Sequence, residues 1–137
     1  MHQGFTSCRA VIINDSKILL IHRYKNGEEY WVFPGGHIEV GEAVDQALRR
    51  EIQEELSMEA IEIGEQFPYN HPDGSSEIFA YCRVTDGTPQ LGGPEQKIAS
   101  QQDRYEPGWL DLQIALGLDN LYPIPVRDAL RQKYANH

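Results

Sequence analysis

Gly36-His37-Ile38-Glu39-Val40-Gly41-Glu42, followed by Ala43-Val44-Asp45-Gln46-Ala47-Leu48-Arg49-Arg50 and Glu51-Ile52-Gln53-Glu54-Glu55-Leu56, is the stretch from which the fold is read. An α-helix advances about 100° per residue. With Val44 at the origin, Leu48, Ile52 and Leu56 follow along one stripe in four-residue steps, and Ala47 lies beside them. Glu51 and Glu55 fall inside that apolar stripe and Glu54 on its edge, whereas Gln46, Arg49 and Gln53 take the solvated side. A core-facing stripe that carries two carboxylates breaks ordinary helix patterning. Ionised carboxylates are too costly to bury unless paired or bound to metal. Divalent cations are the simplest explanation; a merely solvated acidic face would lie opposite the leucines.

The residues before the helix sharpen this. Tyr30-Trp31-Val32-Phe33 is an apolar run that Pro34 stops, and Gly35-Gly36 permits backbone conformations closed to other residues. Glu42 stands where the helix is expected to begin, and negative charge there suits the macrodipole. The spacing therefore predicts a strand, a glycine loop and a carboxylate-bearing helix over roughly Glu42 to Leu56. A glycine carbonyl can join the helical carboxylates around a hard cation. Magnesium suits such oxygen ligands and commonly bridges to phosphate; manganese is the substitute.

The arrangement Gly36-x5-Glu42-x7-Arg50-Glu51-Ile52-x-Glu54-Glu55 resembles the signature of the Nudix hydrolase family, here running from Gly36 to Met58. It departs only at the last glycine, replaced by Ser57 at the expected helix end, where glycine usually takes a left-handed conformation. Looser resemblance extends upstream through Arg9-Ala10-Val11-Ile12-Ile13 and Ile18-Leu19-Leu20-Ile21-His22-Arg23. It implies an α+β fold, the Nudix α/β/α sandwich with a mixed β-sheet, occupying residues 1–137 as a single domain. It implies hydrolysis of a nucleoside diphosphate linked to another moiety, with water attacking phosphorus and magnesium offsetting the developing charge.

By position, the resemblance makes Glu54 and Glu55 metal ligands and Glu51 a third ligand or the water-activating base. Gly35 or Gly36 lends a carbonyl, and Arg50 orients the carboxylates. A fourth acidic ligand is expected from a late loop; Glu106, before Pro107-Gly108-Trp109, is the candidate, with Glu77 and Asp103 as alternatives. Arg23 follows a strand aimed at the site and is a candidate phosphate contact through its guanidinium fork; a surface arginine is the plain alternative. His37 and His71 read as loop histidines, and Trp31, Phe67 and Tyr81 as core aromatics rather than base-stacking platforms.

Charge narrows the partners. With 12 Lys and Arg against 21 Asp and Glu, the net charge of -9 argues against broad nucleic-acid or membrane binding, which needs basic surface. A small-molecule nucleotide is the expected partner, and bound cations reverse the sign of its site locally. No run is long enough to span a bilayer and no secretory signal stands at the start, so a cytoplasmic monomer or homodimer is expected. Cys8 and Cys82 lie in strand-like segments and read as buried thiols, a disulfide being the alternative.

Further strands are expected at Cys8 to Ile13, Lys17 to Arg23, Ala60 to Phe67 and Glu77 to Val84. Thr85 to Glu106 reads as a long polar loop, and Pro125 to Tyr134 as a closing helix. Substrate identity is left open. The asparagine that reads the base in the 8-oxo-dGTP-cleaving branch has no counterpart in Tyr122-Pro123-Ile124-Pro125-Val126, and Pro72 is only a weak match to the ADP-ribose branch. A non-catalytic Nudix module that senses a nucleotide is the competing class.

Overall fold

The computed structural model describes residues 5–89 and 103–135. Strands β1 (Ser7–Val11), β2 (Ile13–Asn14), β3 (Lys17–Lys25), β4 (Glu28–Val32) and β5 (Gly35–His37) precede helix α1 (Val44–Leu56). Strands β6 (Ala60–Asn70), β7 (Ser76–Val84) and β8 (Asp103–Asp111) follow, then helix α2 (Leu112–Leu116), β9 (Leu121–Tyr122) and helix α3 (Ile124–Lys133). One sheet has the order β5-β1-β7-β6, with β1 parallel to β7 and antiparallel to β5. The other has the order β2-β3-β4-β9, and β8 pairs with β3 along its length. Among the described residues no helix is long and apolar enough to cross a membrane.

Period-two alternation divides the strands between two cores. Cys8 and Ala10 of β1, Leu19 and Ile21 of β3, and Ile78 and Ala80 of β7 join Ala47, Leu48, Ile52 and Leu56 of α1. Val11, Ile18, Leu20 and Phe79 turn the other way and meet Leu112, Leu116, Val126 and Leu130 of α2 and α3. Strands buried on both faces between helices form the expected α/β/α layering in a mixed α+β chain. Cys8 and Cys82 are free buried thiols; burial raises their pKa to about 11 and about 12.

Several expectations are corrected. The glycine pair forms β5 instead of a loop, because without side chains the chain can lie directly against β1: a Cβ on Gly35 would come 2.8 Å from Arg9 Cα. Helix α1 begins at Val44, leaving Glu42 in the preceding turn. Residues 103–106 belong to β8, held as strand by the ladder to β3; residues 90–102 of the expected loop lie outside the described part. Trp109 to Leu112, which reads as an apolar strand or helix entry, ends β8 and opens the short helix α2; Asp111 caps it, its carboxylate accepting from Ile114 N–H at 3.0 Å.

Ser57 ends α1 as a glycine would. It sits at φ 56°, ψ 38°, and its N–H donates to Gln53 C=O at 3.0 Å. A β-carbon in that left-handed conformation costs on the order of 1 kcal/mol. Ser57→Gly is therefore expected to raise stability by about 1 kcal/mol, read as a higher urea midpoint at unchanged slope. An unchanged or lower midpoint would contradict this.

Candidate functional site

Helix α1 turns Glu51 and Glu55 into its buried face, at 8% and 5% exposure, as the stripe demanded. Each is received by the glycine pair. Glu55 Oε1 accepts the Gly35 N–H at 2.7 Å. The Glu51 carboxyl packs so closely on Gly36 that a Cβ there would lie 2.6–2.8 Å from its atoms. Gly35 has φ 148°, a conformation side chains rarely adopt. Glycine at both positions is thus a requirement of the carboxylates as much as of the backbone.

Arg50 gathers the remaining acids. Its Nη1 donates to Glu51 Oε2 at 2.8 Å and to Glu54 Oε1 at 3.2 Å. Its Nε and Nη2 grip Glu42 at 2.7 and 2.9 Å, and Nη2 also donates to His37 C=O at 2.9 Å. Glu42 also accepts the Glu39 N–H at 2.9 Å, so one arginine fastens the turn before α1 to the helix and both to β5. Glu54 stays about one-third exposed. Among the described residues no three His, Cys, Asp or Glu groups converge as a finished ligand cage. The carboxylates are collected around the guanidinium instead. A cleft of about 970 Å³ opens beside the turn, lined by residues that include Glu39 and Glu42 but not Glu51, Glu54 or Glu55.

The hydrogen bonds from Arg50, opposed by burial, hold the Glu42 carboxyl below the usual carboxylate range. A carboxyl whose pKa is lowered by folding stabilises the fold above its unfolded pKa, and that contribution fades as pH falls through the folded value. Wild-type stability is therefore expected to drop below about pH 4. Arg50→Ala should lower the Tm at neutral pH and flatten that drop. Parallel Tm-against-pH curves for the two proteins would show that the pair carries no such linkage.

The other expected site residues disperse. Arg23 lies on the α1 face of β3, with its guanidinium 3.7 Å from the Tyr105 ring centroid and 6.0 Å from that of Tyr30. Glu106, the expected late ligand, lies on the β3–β8 ladder. It pairs there with His22, and alternation points both away from α1. Its carboxylate lies 3.7 Å from His22 Nδ1 and 3.7 Å from Arg104 Nη1. The Asp103 side chain lies outside the described part. His37 is exposed; Phe67 stacks on Phe79 at 5.4 Å, and Trp31 on His22 at 4.1 Å.

Glu77, the other alternative ligand, is buried on the face of β7 opposite α1. Arg9 Nε donates to its Oε2 at 2.9 Å, and His71 Nε2 meets its Oε1 at 3.0 Å. Burial raises this carboxyl's pKa, but the charge and hydrogen bond of Arg9, joined by His71, outweigh it and hold the pKa below normal. Neither Arg9 nor His71 belongs to a motif that marks it as functional in the sequence. The available signal was a charged residue at Arg9, inside an otherwise apolar strand, and another at Glu77, at the head of the next.

A model of the NUDIX domain matches residues 5–127. Over 72 residues the chain is 39% identical to the CTP pyrophosphohydrolase of Escherichia coli, covering 51% of this chain and 53% of that protein. It is 39% identical over 51 residues to the 8-oxo-dGTP diphosphatase of Haemophilus influenzae, covering 36% of this chain and 38% of that protein. The matches thus span about a third to a half of these curated relatives. Among solved structures, the E. coli ORF135 protein superposes with a TM-score of 0.67 at 29% identity, over 95% of this chain and 91% of that one. A MutT NUDIX hydrolase from Burkholderia pseudomallei superposes with a TM-score of 0.57 at 25% identity, over 80% and 84%. With a glutamate-bearing α1 seated on the glycine strand and a domain match over most of its length, this chain belongs to the NUDIX domain family.

Proposed function

We propose that this chain hydrolyses the pyrophosphate bond of a nucleoside diphosphate derivative, with a divalent cation, magnesium by preference, held at α1. The observation that carries this reading is the burial of Glu51 and Glu55 within the apolar stripe of α1, against the glycine backbone of β5. The donors fit a hard cation: three carboxylates, Glu51, Glu54 and Glu55, and a carbonyl of Gly35 or Gly36, all oxygen. When bound, such an ion neutralises phosphate oxygens and acidifies water.

The chain's own groups do the rest. Glu51 and Glu54 flank Arg50 Nη1, and one of them takes the proton that water loses as its oxygen bonds to phosphorus. The bridging P–O bond breaks and the second phosphoryl group leaves with its oxygen. Arg50, anchored by Glu42 and the His37 carbonyl, fixes the two carboxylates and offsets their repulsion. Arg23 is the cation assigned to the substrate's phosphates. The net charge of -9 repels a polyphosphate, and a bound cation offsets that repulsion at the site.

The relatives' names favour nucleoside triphosphates, and a further relative named ADP-ribose pyrophosphatase keeps nucleotide sugars in contention. The test is a panel of nucleoside triphosphates and ADP-ribose incubated with magnesium, then with chelator. Triphosphates should yield monophosphate and pyrophosphate, and chelator should abolish the yield. Tight binding without turnover across the panel would make the chain a nucleotide sensor instead.

A further inference from the structure

Arg23 stands on β3 with a strand on either side, and the register sets a tyrosine directly across from it on both: Tyr30 on β4 and Tyr105 on β8. Residues opposed in this way share a face of the sheet. Here it is the face that Leu19 and Ile21 turn to α1. The two rings are not equivalent. The Arg23 guanidinium carbon lies 3.7 Å from the Tyr105 centroid, whereas Tyr30, at 6.0 Å, is at the outer limit of a cation–π contact. At the shorter distance the guanidinium plane must lie along the ring, because an N–H aimed at the ring face would hold the carbon farther out. A guanidinium stacked in this way directs its N–H bonds sideways, which is how the fork meets phosphate oxygens. Tyr105 is itself half-buried and packs against the apolar cluster of Leu48, Ile52 and Leu56. The stack is therefore seated on the same layer that carries the glutamates of α1.

A long side chain gives up rotamer freedom when it grips an anion, and one already stacked has lost part of that freedom beforehand. The same two strands carry a second stack on their other face, where the Arg104 guanidinium carbon lies 4.1 Å from the Tyr24 centroid. Tyr24 and Arg104 are also directly opposed in the ladder. They tie β3 to β8 without facing α1, so they separate the positioning of Arg23 from plain cohesion of the strands.

We propose that Tyr105 is a positioning residue, whose ring holds the Arg23 guanidinium flat on the α1 face in the orientation that receives the phosphates of a diphosphate ligand. This rests on the reading of Arg23 as the phosphate contact of the hydrolase. It is tested by binding, so that the two can fail separately. The probe is methylenediphosphonate, whose P–C–P bridge water does not cleave, titrated calorimetrically in magnesium.

Tyr105→Leu should weaken binding by about three- to tenfold, the effect of losing a partly desolvated cation–π contact. Tyr105→Phe keeps a π face and should stay within about twofold of wild type. Arg23→Gln should weaken binding at least as much as Tyr105→Leu. Adding Tyr105→Leu to Arg23→Gln should cost nothing further, because the ring acts only through the guanidinium. Tyr24→Leu, which breaks the stack on the other face, should leave the Kd within about twofold. In the hydrolysis panel the loss in Tyr105→Leu should fall on KM, with kcat held within about twofold. Tyr105→Met, of similar bulk and without a ring, replaces the leucine variant if that one does not fold.

Wild-type affinity in folded Tyr105→Leu, an equal loss in Tyr24→Leu, or an undiminished loss in the Arg23→Gln background overturns the inference. So does a wild type that does not bind the probe. If no nucleotide is turned over while the coupling of Tyr105 to Arg23 stands, the hydrolase reading alone has failed.

Discussion

Glu54→Gln is expected to reduce kcat by about three orders of magnitude, because several kcal/mol of metal-assisted charge stabilisation goes with the carboxylate and each 1.36 kcal/mol is tenfold in rate. Glu54 is the most informative of the three glutamates to change. It is about one-third exposed, and its hydrogen bond in the structure is to Arg50 at 3.2 Å, so the core does not depend on it. Stability should accordingly move by no more than about 0.5 kcal/mol, as for an ordinary surface change. Glu51 and Glu55 lack that separation. Each is buried against the glycine strand, and replacing either mixes a folding defect with a chemical one. Steady-state kinetics with magnesium and chemical denaturation on the same preparation would check both halves. Wild-type turnover in a stably folded Glu54→Gln protein would remove Glu54 from the machinery and leave the acid cluster a structural device.

Gly35→Ala should have the largest effect on stability, a loss of about 3 kcal/mol or more from overpacking combined with a backbone conformation that alanine rarely adopts. The new methyl would be driven into the β1 backbone, 2.8 Å from Arg9 Cα, at a φ of 148°. Backbone cannot step aside as a flexible side chain can, so β5 must shift away from β1. That shift would also pull the Gly35 N–H off Glu55 and the Phe33 carbonyl off Arg9, loosening both faces at once. Gly36→Ala makes the useful contrast. Its methyl meets the Glu51 carboxyl rather than backbone, so activity should suffer more than folding. Urea unfolding of Gly35→Ala at unchanged slope measures the loss; a midpoint near wild type would show that β5 has slack the geometry does not suggest.

The periodicity of residues 44–56 was sufficient by itself to place Glu51 and Glu55 among Leu48, Ile52 and Leu56, because side-chain direction in a helix follows from position alone. The same local rule made Arg50 a neighbour of Glu54 one turn on, and the apolar alternation of β1 and β3 was legible as strands. What local rules cannot supply is which strand lies beside which. The glycine pair became a strand only because β1 was there to receive it, and Glu106 was turned away from α1 by its register with β3. Arg9 is far along the chain from His71 and Glu77, and no periodicity links the three. They meet because β1 runs parallel to β7, with Ser7 opposite Glu77, and the turn after β6 returns His71 to the same end. Each face of a strand is dictated by its own residues, whereas the company those faces keep depends on long-range hydrogen bonding and burial across the whole chain.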